Sequence, residues 1–174
     1  MSDAAFNAAV QIVLAHEGGF TDDPQDAGSW TGGEIGQGEL RGSKFGISAA
    51  SYPALNIAAL TQTQAIMIYE RDWWDKYGYG RLPDAIGAKV FDLAVNMGPG
   101  PAHTLLQRAC TDCGEPVVAD GRLGPMTVAA AGRSAQGELL AALREQAAVH
   151  YRAIVAADPR KEAYLVGWLA RAAA

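Results

Sequence analysis

The sequence of 174 residues lacks several things, and each absence removes a class of protein. No apolar run approaches the ~18 residues of a membrane-spanning helix, so stable insertion into a bilayer is not expected. No cluster of Lys and Arg occurs and the net charge is −5, which argues against a nucleic-acid partner, whose phosphates would have to be neutralised. Only two cysteines are present, Cys110 and Cys113 in "ACTDCG". With no second pair and no histidine close in sequence, they read as ordinary thiols at a helix end rather than half of a zinc site, and no metal or cofactor is expected. The opening "MSDAAFNAAVQIVLAHEGG" lacks a basic n-region and runs straight into a patterned helix, so it does not read as a signal peptide. Internal repeats and low-complexity tracts are missing too. What is left is a globular chain, 49% hydrophobic, of one domain or one domain with a small appendage.

Helical periodicity dominates. Phe6, Val10, Val13 and Glu17 share a face, so the first helix carries a glutamate on its apolar side, and Gly18-Gly19 supply the stop. The second helix begins at "LTQTQAIMIYERDWW", where Thr61 and Gln64 form a capping box and Ala65, Ile68, Tyr69 and Trp73 make a stripe. "LPDAIGAKVFDLAVNMG" is a third, with Pro83 near its start and Gly98-Pro99 ending it. "PAHTLLQRAC" and "GPMTVAAAG" follow. The sixth spans about 134–157 with Leu139, Leu143, Ala147, Tyr151 and Ile154 along one side. Asp158-Pro159 caps a last helix whose Leu165, Trp168 and Leu169 look inward.

Residues 20–46 break this pattern and are rich in Gly, Asp, Thr and Ser. Long structureless loops are uncommon in compact domains and tend to be functional or disordered. This one follows the only glutamate on an apolar helix face and is read as functional, with room for a short β-hairpin.

The chemistry suggested is glycosidic-bond cleavage. A general acid must hold its proton near neutral pH, so its pKa has to rise well above about 4.3. Partial burial of Glu17 and the negative end of the helix dipole both push that way. The plainer alternative is a solvated or structural helix-end Glu. A second carboxylate about 5 to 9.5 Å away is needed to activate water or steady an oxocarbenium ion. Asp22 and Asp23 read as turn formers beside Pro24, whereas Asp26 lies where a loop folding back would face Glu17. Of the adjacent Trp73 and Trp74, Trp73 is assigned to the core and Trp74 to a sugar groove; Trp30, in the loop, is the better stacking candidate. Asp92 and Asn96, four apart, share a helix face and either hydrogen-bond a substrate or pin the first helix and loop. His16 points about 100° around the helix from Glu17 and reads as a surface residue.

The stretch "EGGFTDDPQDAGSWT" resembles the opening motif of glycoside hydrolase family 108, the muramidase endolysins: E-G-G-[YF]-x-x-D-P-x-D-x-G-G-x-T, then Y-G-I-[TS]. Glu17, Gly18, Gly19, Phe20, Asp23, Pro24, Asp26, Gly28 and Thr31 fall in register, and "FGIS" at 45–48 matches the end. "VFDLAVNMGPGPAHTLLQRA" and "DGRLGPMT" resemble the family's middle and its peptidoglycan-binding segment, and "DPRKEAYLVGWLARA" its closing helix. Two departures stand out: Ser29 replaces a glycine, and residues 32–44, "GGEIGQGELRGSK", replace a much shorter connection.

The resemblance implies a mainly α, lysozyme-like helical fold with a long active-site loop. It implies a muramidase region at 1–100 and a peptidoglycan-binding helical segment at 101–174 packed into the same globule. Glu17 becomes the catalytic acid. The Glu17–Asp26–Thr31 spacing resembles that of phage-type lysozymes with one residue fewer before the Thr, so that Asp26 would handle the attacking water and Thr31 help hold it. Trp30, Phe45, Trp74, Asp92 and Asn96 are the residues expected to line the substrate. The reaction implied is hydrolysis of the β-1,4 bond between N-acetylmuramic acid and N-acetylglucosamine in peptidoglycan glycan strands. The alternatives are a lytic transglycosylase forming 1,6-anhydro ends and a non-catalytic peptidoglycan-binding protein. A monomer is expected, held in the host bacterial cytoplasm until a holin-like pore admits it to periplasmic peptidoglycan.

Overall fold

Among the residues described in the computed structural model, 3–16 and 18–174, seven α-helices carry most of the chain. They are α1 (Asp3–His16), α2 (Gln62–Tyr69), α3 (Asp84–Met97), α4 (Pro99–Asp112), α5 (Pro125–Arg133), α6 (Gln136–Ala157) and α7 (Glu162–Ala173). One two-stranded antiparallel sheet, β1 (Ser43–Lys44) and β2 (Ile47–Ser48), lies between α1 and α2 in the chain, and short 3-10 and π-helical segments complete the regular structure described. By contacts the chain forms two compact units, Val10–Trp73 and Met1–Ala9 with Trp74–Ala174.

In the smaller unit, Val10 and Val13 of α1 are fully buried, as their spacing requires. The strands pair Ser43 with Ser48 and Lys44 with Ile47. The two residues between them, Phe45 and Gly46, have φ of 52° and 74°, the positive values of a type I′ hairpin turn. The hairpin thus straddles the end of the 20–46 loop. Ile47, Ala49, Ile57, Leu60, Ala65, Ile68 and Tyr69 form the core of this unit. The Tyr69 hydroxyl donates to the Phe45 carbonyl at 3.0 Å and so fixes the hairpin tip. The Thr61–Gln64 capping box is present in full.

The helix begun at Gln62 changes character after Tyr69, becoming a π-helix over Glu70–Asp75. An α-helical period places Trp73, four residues after Tyr69, on the buried stripe. The i→i+5 bonding of a π turn takes one residue more, and position 74 takes that place. This corrects the sequence expectation. Trp74, expected to face a sugar, is only 7% exposed, while Trp73 is half-buried. The Trp74 indole packs within the larger unit against Phe6 and Phe91, both with ring centroids at 5.6 Å, and against Tyr79 at 6.2 Å.

The larger unit is built around α3, which packs on α4 and α6, while α6 also packs on α4 and α7. Ile86, Val90, Phe91, Leu93 and Ala94 of α3 and Leu139, Leu143, Ala147 and Tyr151 of α6 are buried. Gly98, at φ 91°, ends α3, and Pro99 opens α4 in the first-turn position where a missing N–H costs nothing, two residues before the expected start. Asp158 accepts the Arg160 amide and caps a 3-10 turn, Pro159–Lys161, from which α7 continues. Trp168 of α7 is half-buried and stacks on Tyr151 and Tyr164. Asp92 is a second correction: at 2% exposure it lies in this core with Arg171, whose Nε is 3.6 Å from its carboxylate, and not on a substrate surface. The neighbouring Lys89 amino group is buried too, donates to the Arg171 carbonyl and has its pKa pushed down to about 8 by burial. A buried charge is retained when such partners surround it.

Trp74→Ala is expected to lower unfolding stability by about 3–5 kcal/mol, the usual cost of truncating a core aromatic, and Trp73→Ala by distinctly less. Urea melts of the two variants check this, and the reverse order would return Trp73 to the core.

Candidate active site

The long loop of the smaller unit is closed by its own backbone. Thr21 and Ser43 exchange N–H···O bonds of 2.9 and 2.7 Å, and the Phe45 amide donates to the Gly18 carbonyl at 3.3 Å. The hairpin tip therefore sits against the residue that follows Glu17 in the chain. Glu17 itself and the His16 side chain lie outside the described residues, and with them the expected apolar setting of the carboxyl. The closure depends on Gly42. Its φ is 77°, and a Cβ there would lie 2.2 Å from the Thr21 carbonyl oxygen and 2.9 Å from the Phe20 ring.

Between these ends, local side-chain bonds shape the chain. Asp23 accepts the Gln25 amide at 2.9 Å, the turn-forming use expected of it. Asp26 accepts the Gly28 amide through one oxygen at 3.0 Å, capping a 3-10 turn over Ala27–Ser29, and remains exposed. Trp30 is half-buried, and its indole N–H reaches back to the Pro24 carbonyl at 3.1 Å. Thr31 Oγ1 accepts the Glu39 amide at 2.9 Å, and its own amide donates to the Glu39 carbonyl.

These Thr31 bonds also define the extra segment 32–44. It rises as a narrow ribbon in which Trp30 bridges Leu40 and the Gly32 amide donates to Gln37. At its base the Ser29 carbonyl accepts both the Arg41 and Gly42 amides, at 2.9 and 3.0 Å. Ser29 is fully buried, and its hydroxyl has no hydrogen-bond partner among the described residues. A cavity of about 530 Å³ lies against Phe20, Asp22, Leu40, Arg41, Asn56 and Ile57. The Arg41 guanidinium is held there by Glu39 at 2.6 Å and the Pro53 carbonyl at 3.0 Å. Phe20 could have been singled out from its motif position, but nothing local marks Arg41.

Asp26, Trp30, Thr31 and Phe45 thus all belong to the loop and hairpin of the smaller unit. Phe45 is half-buried, with a left-handed backbone unusual for a bulky residue, a kind of strain that concentrates at functional sites. In the larger unit Trp74 and Asp92 are core residues, and Asn96, exposed on α3, accepts a 2.7 Å hydrogen bond from the Tyr151 hydroxyl. Cys110 is fully buried and Cys113 half-buried, and burial raises both thiols, Cys110 to about 11, so neither is a ready nucleophile.

The loop offers an exposed carboxylate fixed on a tight turn, a positioned hydroxyl and aromatic faces. Residues 10–98 match the family model described as glycosyl hydrolase 108. The chain belongs to this family. Residues 101–173 of the family 108 chain match a second model, described as "Predicted Peptidoglycan domain". The structure of SagA from Brucella abortus is similar over 99% of this chain and 91% of that one, with 25% identity and a TM-score of 0.73. No curated protein matches the sequence. The mainly α, lysozyme-like fold expected from the sequence is the one found. The family 108 chain is a glycoside hydrolase of lysozyme-like, peptidoglycan-hydrolysing function, with peptidoglycan as its partner.

Gly42→Ala is expected to destabilise the fold by more than about 1 kcal/mol, because the φ and the close approach both penalise a side chain, and to slow sacculus hydrolysis with it. Calorimetry and a turbidity assay check this; an unchanged melting temperature would show that the closure is dispensable. Ser29→Ala is expected to act oppositely. Removing a buried, unpaired hydroxyl relieves roughly 1 kcal/mol, seen as a raised melting temperature.

Proposed function

We propose that the chain is an N-acetylmuramidase that hydrolyses the β-1,4 bond between N-acetylmuramic acid and N-acetylglucosamine, with Glu17 as general acid. The observation that carries this reading is the glycosyl hydrolase 108 match across 10–98, which takes in Glu17 and the whole loop. In this reading Glu17 protonates the leaving glycosidic oxygen as the bond to the muramic acid C1 breaks. Asp26 orients or deprotonates the water that attacks C1, and Thr31 helps hold that water. The Asp26 carboxylate is suited to the task because it is exposed and anchored through one oxygen only. Thr31 uses its oxygen to accept the Glu39 amide, a bond that leaves its O–H proton for a water. Trp30 and Phe45 supply apolar surface for pyranose rings.

The alternative is a lytic transglycosylase, in which the muramic acid 6-hydroxyl replaces water and leaves an anhydro end. An exposed carboxylate within the same motif, Asp26, favours water. The reading extends to a phage-type lytic role: a monomer kept in the bacterial cytoplasm until a holin-like pore gives it access to periplasmic peptidoglycan. Recovery of the intact protein from the periplasm without any pore would overturn that part. Among the described residues no helix is long and apolar enough to cross a membrane.

Mass spectrometry of the muropeptides released from purified sacculi tests the chemistry. Wild type is expected to leave reducible muramic acid ends, and Glu17→Gln to release them at least about 100-fold more slowly, the lower range for loss of a general acid. Asp26→Asn is expected to slow release without changing the ends. Anhydro ends from wild type would make the enzyme a transglycosylase, and equal release by Glu17→Gln would move the acid elsewhere.

A further inference from the structure

The larger unit carries a second concave surface that no step above uses. Two cavities, of about 500 and 290 Å³, share Lys76, Tyr77 and Arg81 as lining. The edge of Trp74 walls the first, and Arg122 and His103 wall the second. In a chain of net charge −5, this surface gathers three cations, Lys76, Arg81 and Arg122, against one lining carboxylate, Asp75. We infer that this surface binds the carboxylates of the peptidoglycan stem peptide.

The cations are held mainly by uncharged partners, although the Asp120 carboxylate lies near enough to Arg122 to be stabilised by its charge. Arg81 donates to the carbonyls of Tyr77, Gly78 and Leu123, at 3.3, 3.3 and 3.0 Å, and these are uncharged partners. Lys76 lies over the Tyr77 ring at 5.4 Å. Arg122 is exposed; the nearby Asp120 spends its carboxylate on the Arg122 amide and the Gln107 side chain. None of the three cations forms a salt bridge among the described residues.

The floor is stiff. Tyr77 lies 5.7 Å from the His103 ring, and His103 is bonded on both nitrogens, to the Tyr79 hydroxyl at 3.1 Å and the Gly121 carbonyl at 3.0 Å. Burial lowers the His103 pKa, so the ring beneath the surface is neutral and the positive charge belongs to the rim. A preorganised cationic rim around an aromatic floor suits a carboxylate on a short peptide, through charge-assisted and often bidentate bonds.

The ligand follows from what peptidoglycan offers. Its glycan strand is uncharged apart from the peptide-bearing lactyl arm, so the anionic groups are the free carboxylates of the stem peptide. The site also draws on both matched segments: Lys76, Tyr77 and Arg81 fall within 10–98, and His103 and Arg122 within 101–173. The inference rests on peptidoglycan being the partner and not on which bond is cut.

The test is an NMR titration of the full chain with the soluble stem tripeptide, read at the Gly78 and Gly121 amides. Saturable shifts are expected there. Amidating the peptide carboxylates is expected to weaken binding at least tenfold, as is Lys76→Ala combined with Arg122→Ala. Lys76→Arg with Arg122→Lys, which keeps the charge, is expected to retain it. Both positions are exposed, and an unchanged melting temperature would confirm intact folding. Equal binding of the amidated peptide, or undiminished binding by the alanine pair, overturns the inference. So does binding of a glycerol-phosphate polymer but not of the tripeptide, which would make this a phosphate site. Because the readout is binding, a chain that binds the tripeptide but cleaves no sacculi would refute the muramidase reading alone.

Discussion

The paired hydrogen bonds between Thr21 and Ser43 are the constraint on which the smaller unit depends. They join the two ends of a long loop with little regular structure, and they form only because Gly42 lets the backbones approach to a distance no side chain would allow. Once the ends are joined, the Phe45 amide can reach Gly18, Tyr69 can fix the hairpin tip, and the chain between is short enough for Asp23 and Asp26 to shape it by turns. Fixing a loop in this way costs backbone entropy at every residue, which dense local hydrogen bonding offsets. In the proposed role of Asp26, a carboxylate that must meet a water and a sugar in a set geometry gains from such rigidity, since misplacement by about 1 Å can cost two orders of magnitude in rate.

Much of the fold was legible in the sequence because α-helical order is local. The capping box at Thr61, the buried face of α6 and the Gly98-Pro99 break all follow from residues within a few positions of one another. What was not legible had non-local or irregular causes. The π-helix at Glu70–Asp75 exchanged the places of Trp73 and Trp74, and no propensity marks such a turn in advance. Asp92 and Asn96 do share the α3 sequence spacing that suggested a common face, but the partner that makes Asp92 a core residue, Arg171, lies far along the chain on α7. In the loop, the motif identified Asp26 and Thr31 as candidates, while the double use of Thr31 as an anchor for Glu39 required the ribbon to be seen.

The extra segment 32–44 shows how such a motif tolerates a large change. Lengthening a loop is cheap once its ends are fixed, since each doubling adds only about 0.6 kcal/mol of closure entropy. Here the ends are pinned by the Trp30–Leu40 bridge, the Thr31–Glu39 bonds and the two amides gathered by the Ser29 carbonyl. Left-handed Gly38 lets the ribbon turn back against Thr31, where a Cβ would meet the hydroxyl at 2.3 Å. The added residues up to Leu40 bond to one another and to residues 29–31, while Arg41, Ser43 and Lys44 tie the end of the segment to Pro53, Thr21 and Ala58. The bonds that set Asp26 and Trp30, to Gly28 and Pro24, are made upstream of them. What the segment contributes is new surface, Leu40 and Arg41 on the cavity beside Phe20. An insertion built this way can alter the surface that the enzyme presents around Phe20 while leaving the turn that carries Asp26 in place.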